Sequence, residues 1–134
     1  MPINNNNSVD KSVNRPVFLN LLVIRLPVGG VVSILHRISG VSLVLLTPLG
    51  IYLLDRSLSD PGFFAQLQTF VSQGQYQLVL LLAAALLFQH FFSGFRHLAL
   101  DIDWGIGRQK ARVTAWLTFA ATLFLLVVIG AWVW

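Results

Sequence analysis

Three long apolar segments dominate the pattern of hydrophobic and polar positions along this chain. They run from Ile38 to Leu54, from Leu78 to Phe95 and from Val113 to Trp134. A helix needs about 20 residues to cross the hydrocarbon core of a bilayer, and an isolated strand cannot satisfy its backbone in lipid. The pattern therefore predicts an all-α integral membrane protein, with transmembrane helices at about 31–55, 77–101 and 111–134.

The segments outside these helices are short. Residues 1–14 are polar and rich in asparagine, which indicates a loose tail before a membrane-anchor domain at 15–134. Residues 16–28 mix apolar residues with Arg25 and Pro27, and we expect them to lie along the cytoplasmic interface. Residues 61–72 place phenylalanines at helical spacing. That spacing predicts a short interfacial helix outside the membrane.

Composition argues against a soluble enzyme and against disorder. Hydrophobic residues make up 56% of the 134 residues and charged residues 10%, whereas an ordinary globular chain carries roughly 25% charge. The chain has no cysteine, so it cannot form disulfides or supply the usual ligands of an iron–sulfur cluster.

The positions of the nine basic residues orient the helices. Four stand before the first apolar segment, one between the first and second, four between the second and third, and none after the third. The positive-inside rule then places the N-terminus and the second loop in the cytoplasm, and the first loop and the C-terminus on the other side. Trp132 and Trp134 stand at the far end of the third helix, where tryptophan side chains typically anchor a helix at the membrane–water interface.

The second helix carries polar residues deep in the predicted bilayer. His90, Gly94, His97 and Asp101 fall on one narrow stripe at helical spacing, with His90 close to the midplane. Such residues are functional candidates by default, because polar groups are costly in lipid. A b-type haem on the ring nitrogen of His90, lying on a flat surface beside Gly94, would fit. The alternative is a histidine bonded to a neighbouring helix, with Gly94 there for close packing.

The first helix opens with a second polar cluster. Ser33, Arg37 and Gly40 share one face, and Arg37 stands at the cytoplasmic edge. One interpretation is that Arg37 only extends its side chain to the lipid headgroups. The other is a pocket at headgroup level, in which a hydroxyl and a guanidinium bond a quinone carbonyl or a haem propionate.

Depth decides which histidines could share a haem. His90 lies about 16 Å from the cytoplasmic end of its helix, at 1.5 Å per residue, whereas His36 is placed at the cytoplasmic edge. This mismatch predicts that the two do not hold one iron between them. A second axial ligand would come from another chain, because three helices are too few to wrap a porphyrin.

Two motifs resemble those of the family of cytochrome b556 subunits of succinate dehydrogenase, the larger membrane anchor of respiratory complex II. Residues 33–40 meet the pattern S-I-x-H-R-x-[ST]-G, and residues 90–101 meet H-x-x-x-G-x-R-H-x-x-x-D. The resemblance covers roughly residues 15–134. One departure is that Phe18-Leu19-Asn20 stands where many members have a Pro-His pair.

The resemblance implies a four-chain complex in the bacterial inner membrane. A flavoprotein with FAD, an iron–sulfur subunit and two membrane anchors would pass electrons from succinate to ubiquinone, and nucleic acid would have no part. The resemblance also implies that His90 is one axial ligand of haem b, shared with the smaller anchor. Ser33 and Arg37 would line the quinone pocket, and the residues near the haem propionates would be His36, Arg37 and His97.

Three alternatives stay open. The chain could be the anchor of a quinol:fumarate reductase, since direction depends on relative potentials. It could be a structural anchor without haem or quinone chemistry, against which the intact motifs count. It could also be a small transporter with His90 as a proton relay. That class predicts acidic residues inside the helices, and Asp101 at an edge is the only candidate.

Overall fold

A computed structural model describes residues 26–133, which form four α-helices and no strand. The helices are α1 (Val28–Ser59), α2 (Pro61–Val71), α3 (Gly74–Asp101) and α4 (Arg108–Val133). Helices α1, α3 and α4 are long and apolar enough to cross a membrane, which confirms the predicted all-α class with three spans. The tail at 1–14, the boundary at residue 15, most of the 16–28 segment and Trp134 lie outside the described residues.

The membrane helices extend beyond their predicted bounds. Helix α1 begins at Val28 rather than at about 31 and ends at Ser59 rather than at about 55. Its start follows Pro27, which lies at the N-cap with φ −62° and ψ 149°. The helix also continues through Pro48, although proline removes one backbone hydrogen bond. Membrane helices tolerate this loss, because neighbouring groups can satisfy the freed carbonyl.

Helix α2 confirms the prediction of a short helix after the first span. Its N-terminus is capped by the Asp60 carboxylate, which accepts from the backbone N–H groups of Gly62 (2.8 Å) and Phe63 (3.2 Å). Pro61 stands in the first turn, where its missing N–H costs nothing. The Arg56 guanidinium lies 5.5 Å from the centre of the Phe63 ring. These contacts hold α2 against the end of α1; its place at the membrane surface stays a prediction.

Helix α3 is the central helix, because it packs against both α1 and α4. In contrast to a soluble protein, the large apolar side chains lie on the outside and polar side chains lie between the helices. Val32 and Ala115 are the only buried hydrophobic residues in the described part of the chain, whereas Val44 and Leu45 are 72% and 73% exposed. The remaining buried residues are polar: Ser39, Ser93, Arg96, Thr118 and Thr122. Small and hydroxyl-bearing side chains let membrane helices approach closely, so the helix interfaces are polar and the outer surface is apolar.

A hydrogen-bonded network joins α3 to α4 within the spans. Gln89 Nε2 donates to Ser93 Oγ (2.9 Å), and Thr122 Oγ1 lies within donating distance of Gln89 Oε1 (3.2 Å). The Thr122 hydroxyl is also 2.8 Å from the carbonyl oxygen of Thr118. Each polar group deep in the interface therefore has a partner, as the absence of water in lipid requires.

A tight connection returns α4 alongside α3. Asp103 has φ 61° and Gly105 has φ 88°, and both values lie in the left-handed region. Glycine adopts it freely and aspartate is among the residues that tolerate it. The Trp104 amide donates to the carbonyl oxygen of Ala99 (2.9 Å). The turn thus ends α3 and sets the start of α4 at Arg108.

We expect Thr122→Val to lower the free energy of unfolding by about 0.6 kcal/mol, the average for an interhelical hydrogen bond in a membrane protein. The substitution keeps the shape of the side chain and removes the donor to Gln89. Reversible unfolding in mixed micelles with increasing SDS would measure the change.

Thr47→Val is the matched control, because the exposed Thr47 hydroxyl donates only within its own helix, to the carbonyl oxygen of Leu43 (2.7 Å). Equal effects of the two substitutions would contradict a role for the α3–α4 network.

Candidate functional site

The contact between α1 and α3 is built on two histidines. The rings of His36 and His90 are stacked, with centroids 4.3 Å apart and planes inclined by 9°. His36 lies on α1 and His90 on α3, and both side chains are half-buried. The structure therefore brings together the two polar clusters that the sequence places on separate helices.

The prediction that His36 and His90 lie at different depths is wrong. Helix α1 begins at Val28, so His36 lies about 12 Å into the helix at 1.5 Å per residue. His90 lies about 16 Å from the end of α3 on the same scale. The conclusion drawn from that mismatch still holds for another reason. Stacked rings lie face to face and cannot point their nitrogens at one iron from opposite sides.

Two glycines make this stack possible. A Cβ at Gly40 would lie 3.0 Å from His90 Cε1, and a Cβ at Gly94 would lie 3.2 Å from His36 Nε2. Each imidazole thus rests on a glycine of the opposite helix. The surface beside Gly94 is not open for a planar ligand, as one interpretation of the sequence expects, because the His36 ring covers it. Gly94 instead allows the two helices to pack closely, as the alternative interpretation expects.

Hydrogen bonds determine which nitrogen of His90 is free. Its Nδ1 lies 3.1 Å from the carbonyl oxygen of His36 and 3.3 Å from Ser39 Oγ. Ser39 is 2% exposed, and its hydroxyl donates to the same carbonyl (3.0 Å). Because a carbonyl oxygen only accepts, Nδ1 carries the proton. The lone pair of the neutral ring is then on Nε2, which is the arrangement that metal-binding histidines use.

His97 extends the row of imidazoles. Its ring centroid lies 5.1 Å from that of His36, with the planes tilted by 51°. His36 therefore stands between His90 and His97, which confirms that these α3 histidines share the face toward α1. Asp101, the last residue of α3, is exposed. Within residues 26–133, no three histidine or carboxylate side chains converge on a point that could hold a bare metal ion.

Ser33 and Arg37 stand on α1 one turn apart, near the start of the helix. Ser33 is half-buried and Arg37 is exposed. The guanidinium is therefore presented on the outer surface of this chain. An arginine at this position can reach a partner chain, a ligand or the headgroup region, and its stem can lie along the apolar helix.

Arg96 is buried, which its place in the sequence motif does not indicate. It is only 8% exposed. Its Nε donates to Thr114 Oγ1 and its Nη2 to the carbonyl oxygen of Ala111, both at 3.2 Å. A Cβ at Gly29 would lie 3.2 Å from Nη2, so the guanidinium lies where α1, α3 and α4 meet. The sequence carries one signal of this difference. Arg96 lies about 120° around α3 from His90, so it faces away from the histidine stripe.

Comparison with known proteins agrees with the motifs. Residues 11–129 match a family model described as "Succinate dehydrogenase/Fumarate reductase transmembrane subunit". The chain is 36% identical over 125 residues to the succinate dehydrogenase cytochrome b556 subunit of Coxiella burnetii, across 92% of this chain and 99% of that relative. It is 31% identical over 114 residues to the cytochrome b556 subunit of Paracoccus denitrificans, across 85% and 88% of the two chains.

The match to the family model extends over nearly all of the described residues and includes both motifs. The three apolar spans agree with a transmembrane subunit. This chain therefore belongs to the family of transmembrane subunits of succinate dehydrogenase and fumarate reductase.

Proposed function

We propose that this chain is the membrane-anchoring cytochrome b subunit of a succinate dehydrogenase, that it binds haem b, and that it forms part of the site where ubiquinone is reduced. The observation that carries the proposal is the orientation of His90. Its Nδ1 is tied to the His36 carbonyl oxygen at 3.1 Å, which leaves the Nε2 lone pair for an axial ligand bond to iron.

The surroundings of His90 fit a haem ligand. The ring is half-buried, and the flanking residues of the membrane-spanning helix are apolar, as haem requires. No hydrogen bond to its Nε2 occurs among the described residues. The His36 carbonyl would orient the ring, as the second hydrogen-bond partner of a ligating histidine does. When bound, haem b supplies one-electron redox chemistry, and its second axial ligand would come from the smaller anchor subunit.

The neighbouring cations and imidazoles would hold the haem edge. His36 and His97 lie in one row with His90, and Arg37 follows His36 on α1. Haem propionates are carboxylates, so the two imidazoles would offer them hydrogen-bond donors and the Arg37 guanidinium would offer positive charge.

Ser33 and Arg37 would bind ubiquinone at the start of α1. The Ser33 hydroxyl is half-buried, and it would donate to a quinone carbonyl oxygen. The Arg37 guanidinium would stabilise the negative charge that develops on that oxygen during reduction. This chain contributes position and charge, whereas electrons come from cofactors of the partner chains.

The complex would contain three further chains. A flavoprotein with FAD would oxidise succinate, an iron–sulfur subunit would carry the electrons to the membrane, and a smaller anchor would complete the helix bundle around the haem. By the positive-inside rule, the basic residues at the α3–α4 connection support a cytoplasmic location for that end. The N-terminus would then be cytoplasmic and the C-terminus periplasmic, in the bacterial inner membrane.

The names of the relatives favour succinate oxidation, rather than fumarate reduction, as the activity of the complex. The family model covers both activities, but both cytochrome b556 relatives compared above are named for succinate dehydrogenase. An anchor without haem is disfavoured by the free Nε2 of His90.

We expect His90→Ala to remove the b-type band from the reduced-minus-oxidised optical spectrum of the purified complex, because the substitution removes the axial nitrogen. Gln75→Ala is the control on the same helix, because Gln75 is exposed at the other end of α3, and it should keep the band. An unchanged spectrum in His90→Ala would exclude His90 as the ligand. A wild-type complex without any b-type band would contradict the haem proposal and leave the quinone proposal to its own test.

The glycine under His90 allows a sharper test. Gly40→Ala would place a Cβ 3.0 Å from His90 Cε1 and displace the ligand ring. Overpacking of this kind costs roughly 1–3 kcal/mol, so we expect haem retention to weaken by about tenfold. The haem-to-FAD ratio of the purified complex, followed during dilution, would measure this.

Gly50→Ala on the same helix is the matched control, since nothing lies within 4 Å of a Cβ there. Equal haem-to-FAD ratios in the two variants would show that the α1–α3 contact does not position the ligand.

Ser33→Ala should slow ubiquinone reduction by about tenfold, the expected effect of losing one hydrogen bond to a developing charge. Succinate oxidation with a soluble dye, which bypasses the quinone site, should not change. Ser42→Ala is the control, because the Ser42 hydroxyl donates to its own helix at Ile38 (2.9 Å). Parallel loss of both activities in Ser33→Ala would instead indicate a defect in assembly.

A further inference from the structure

A groove of about 570 Å³ lies between the starts of α1 and α4, and Arg96 of α3 forms part of its wall. Its lining includes three arginines, Arg96, Arg108 and Arg112, and none of its described lining residues is acidic. Val28 and Trp116 form apolar parts of the wall. We name this feature the basic groove.

Arg96 is the reason to expect an anion in the basic groove. It is 8% exposed, and both of its hydrogen bonds are to neutral oxygen atoms, those of Thr114 and Ala111. The only ion pair within residues 26–133 joins Arg56, in the last turn of α1, to Asp60, which directly follows that helix. A buried cation without a counter-ion is costly, and a bound anion relieves that cost.

The helix ends add to the positive potential. Helix α1 begins at Val28 and α4 at Arg108, so the N-terminal ends of both helices border the groove. Their dipoles favour negative charge there. No acidic residue stands in the first turn of either helix, and Pro27 supplies no side-chain cap to α1.

We propose that the basic groove binds the phosphate headgroup of an anionic phospholipid. The groove lies at the ends of two membrane-spanning helices, which is the depth of the lipid phosphates. Trp116 is 58% exposed at its wall, as is typical of aromatic side chains at the membrane interface. Basic pockets between transmembrane helices on the cytoplasmic side bind such headgroups. This proposal depends on neither the haem nor the ubiquinone assignment.

Charge disfavours the chain's own N-terminal segment as the occupant. Residues 1–25 carry Lys11, Arg15 and Arg25 against the single carboxylate of Asp10. That segment would add positive charge to a groove that already holds three cations. A lipid phosphate neutralises the groove. Its acyl chains can lie along the exposed apolar surface of α4, where Leu123, on the same helix face as Trp116, is 63% exposed.

The test uses the intact complex, delipidated in detergent and titrated with phosphatidylglycerol, with native mass spectrometry to count the lipids bound. Arg112→Gln and Arg108→Gln each remove one exposed cation and leave Arg96 in place. We expect each to weaken phosphatidylglycerol binding about fivefold, the effect of one basic residue at an anionic lipid surface. Arg56→Gln is the matched control, since it removes the same charge from a residue that lies outside the groove.

Several results would overturn the proposal. Unchanged binding in both groove variants would do so, as would an equal loss in Arg56→Gln, which would indicate a diffuse charge effect. The wild-type complex alone provides a second test, independent of any variant. It should bind phosphatidylglycerol in preference to phosphatidylcholine. Equal binding of the two lipids, or displacement of the lipid by millimolar inorganic phosphate, would assign the groove to another ligand. Carbodiimide crosslinking of an Arg108→Lys variant to a carboxylate of a partner subunit would assign the groove to a protein interface.

Discussion

The close approach of α1 and α3 is the constraint on which the site depends. Gly40 and Gly94 each leave space for an imidazole of the other helix, and the two rings meet in a stack with centroids 4.3 Å apart. That approach brings the His36 carbonyl to His90 Nδ1, which leaves Nε2 as the basic nitrogen. A larger residue at either glycine would separate the helices, and the hydrogen bond that orients the ring would be lost with the packing.

The second interface follows a different principle. Between α3 and α4, polar side chains carry the contact: the Gln89–Thr122 pair lies within the spans, and Arg96 bonds Thr114 and Ala111 near their end. Helix α3 therefore takes part in a histidine row on the side toward α1 and in a network of hydroxyl and guanidinium groups on the side toward α4. With lipid as solvent, hydrophobic burial does not drive association, so these specific contacts define the arrangement.

Hydropathy and spacing predicted the three spans and the short helix after the first, because long apolar runs have few other stable structures in a bilayer. They also placed His90, Gly94 and His97 on one face of α3. They misplaced His36, because the charge at Arg37 was interpreted as the membrane edge. Arg37 is exposed, and an exposed arginine interrupts an apolar run without ending the helix. Helical spacing separates Arg96 from the histidine stripe, but its burial depends on Gly29 and Thr114, which are distant in sequence.

The paired glycines also restrict how this protein can move. Sliding α1 along α3 by one turn, about 5.4 Å, would carry both imidazoles off their glycines at once and onto side chains with a Cβ. The two contacts thus fix the register of the helix pair, because neither helix can slide unless both histidines leave their glycines together. Any change communicated between the two ends of this pair must therefore pass by rotation about the stack or through α4, and not by longitudinal displacement.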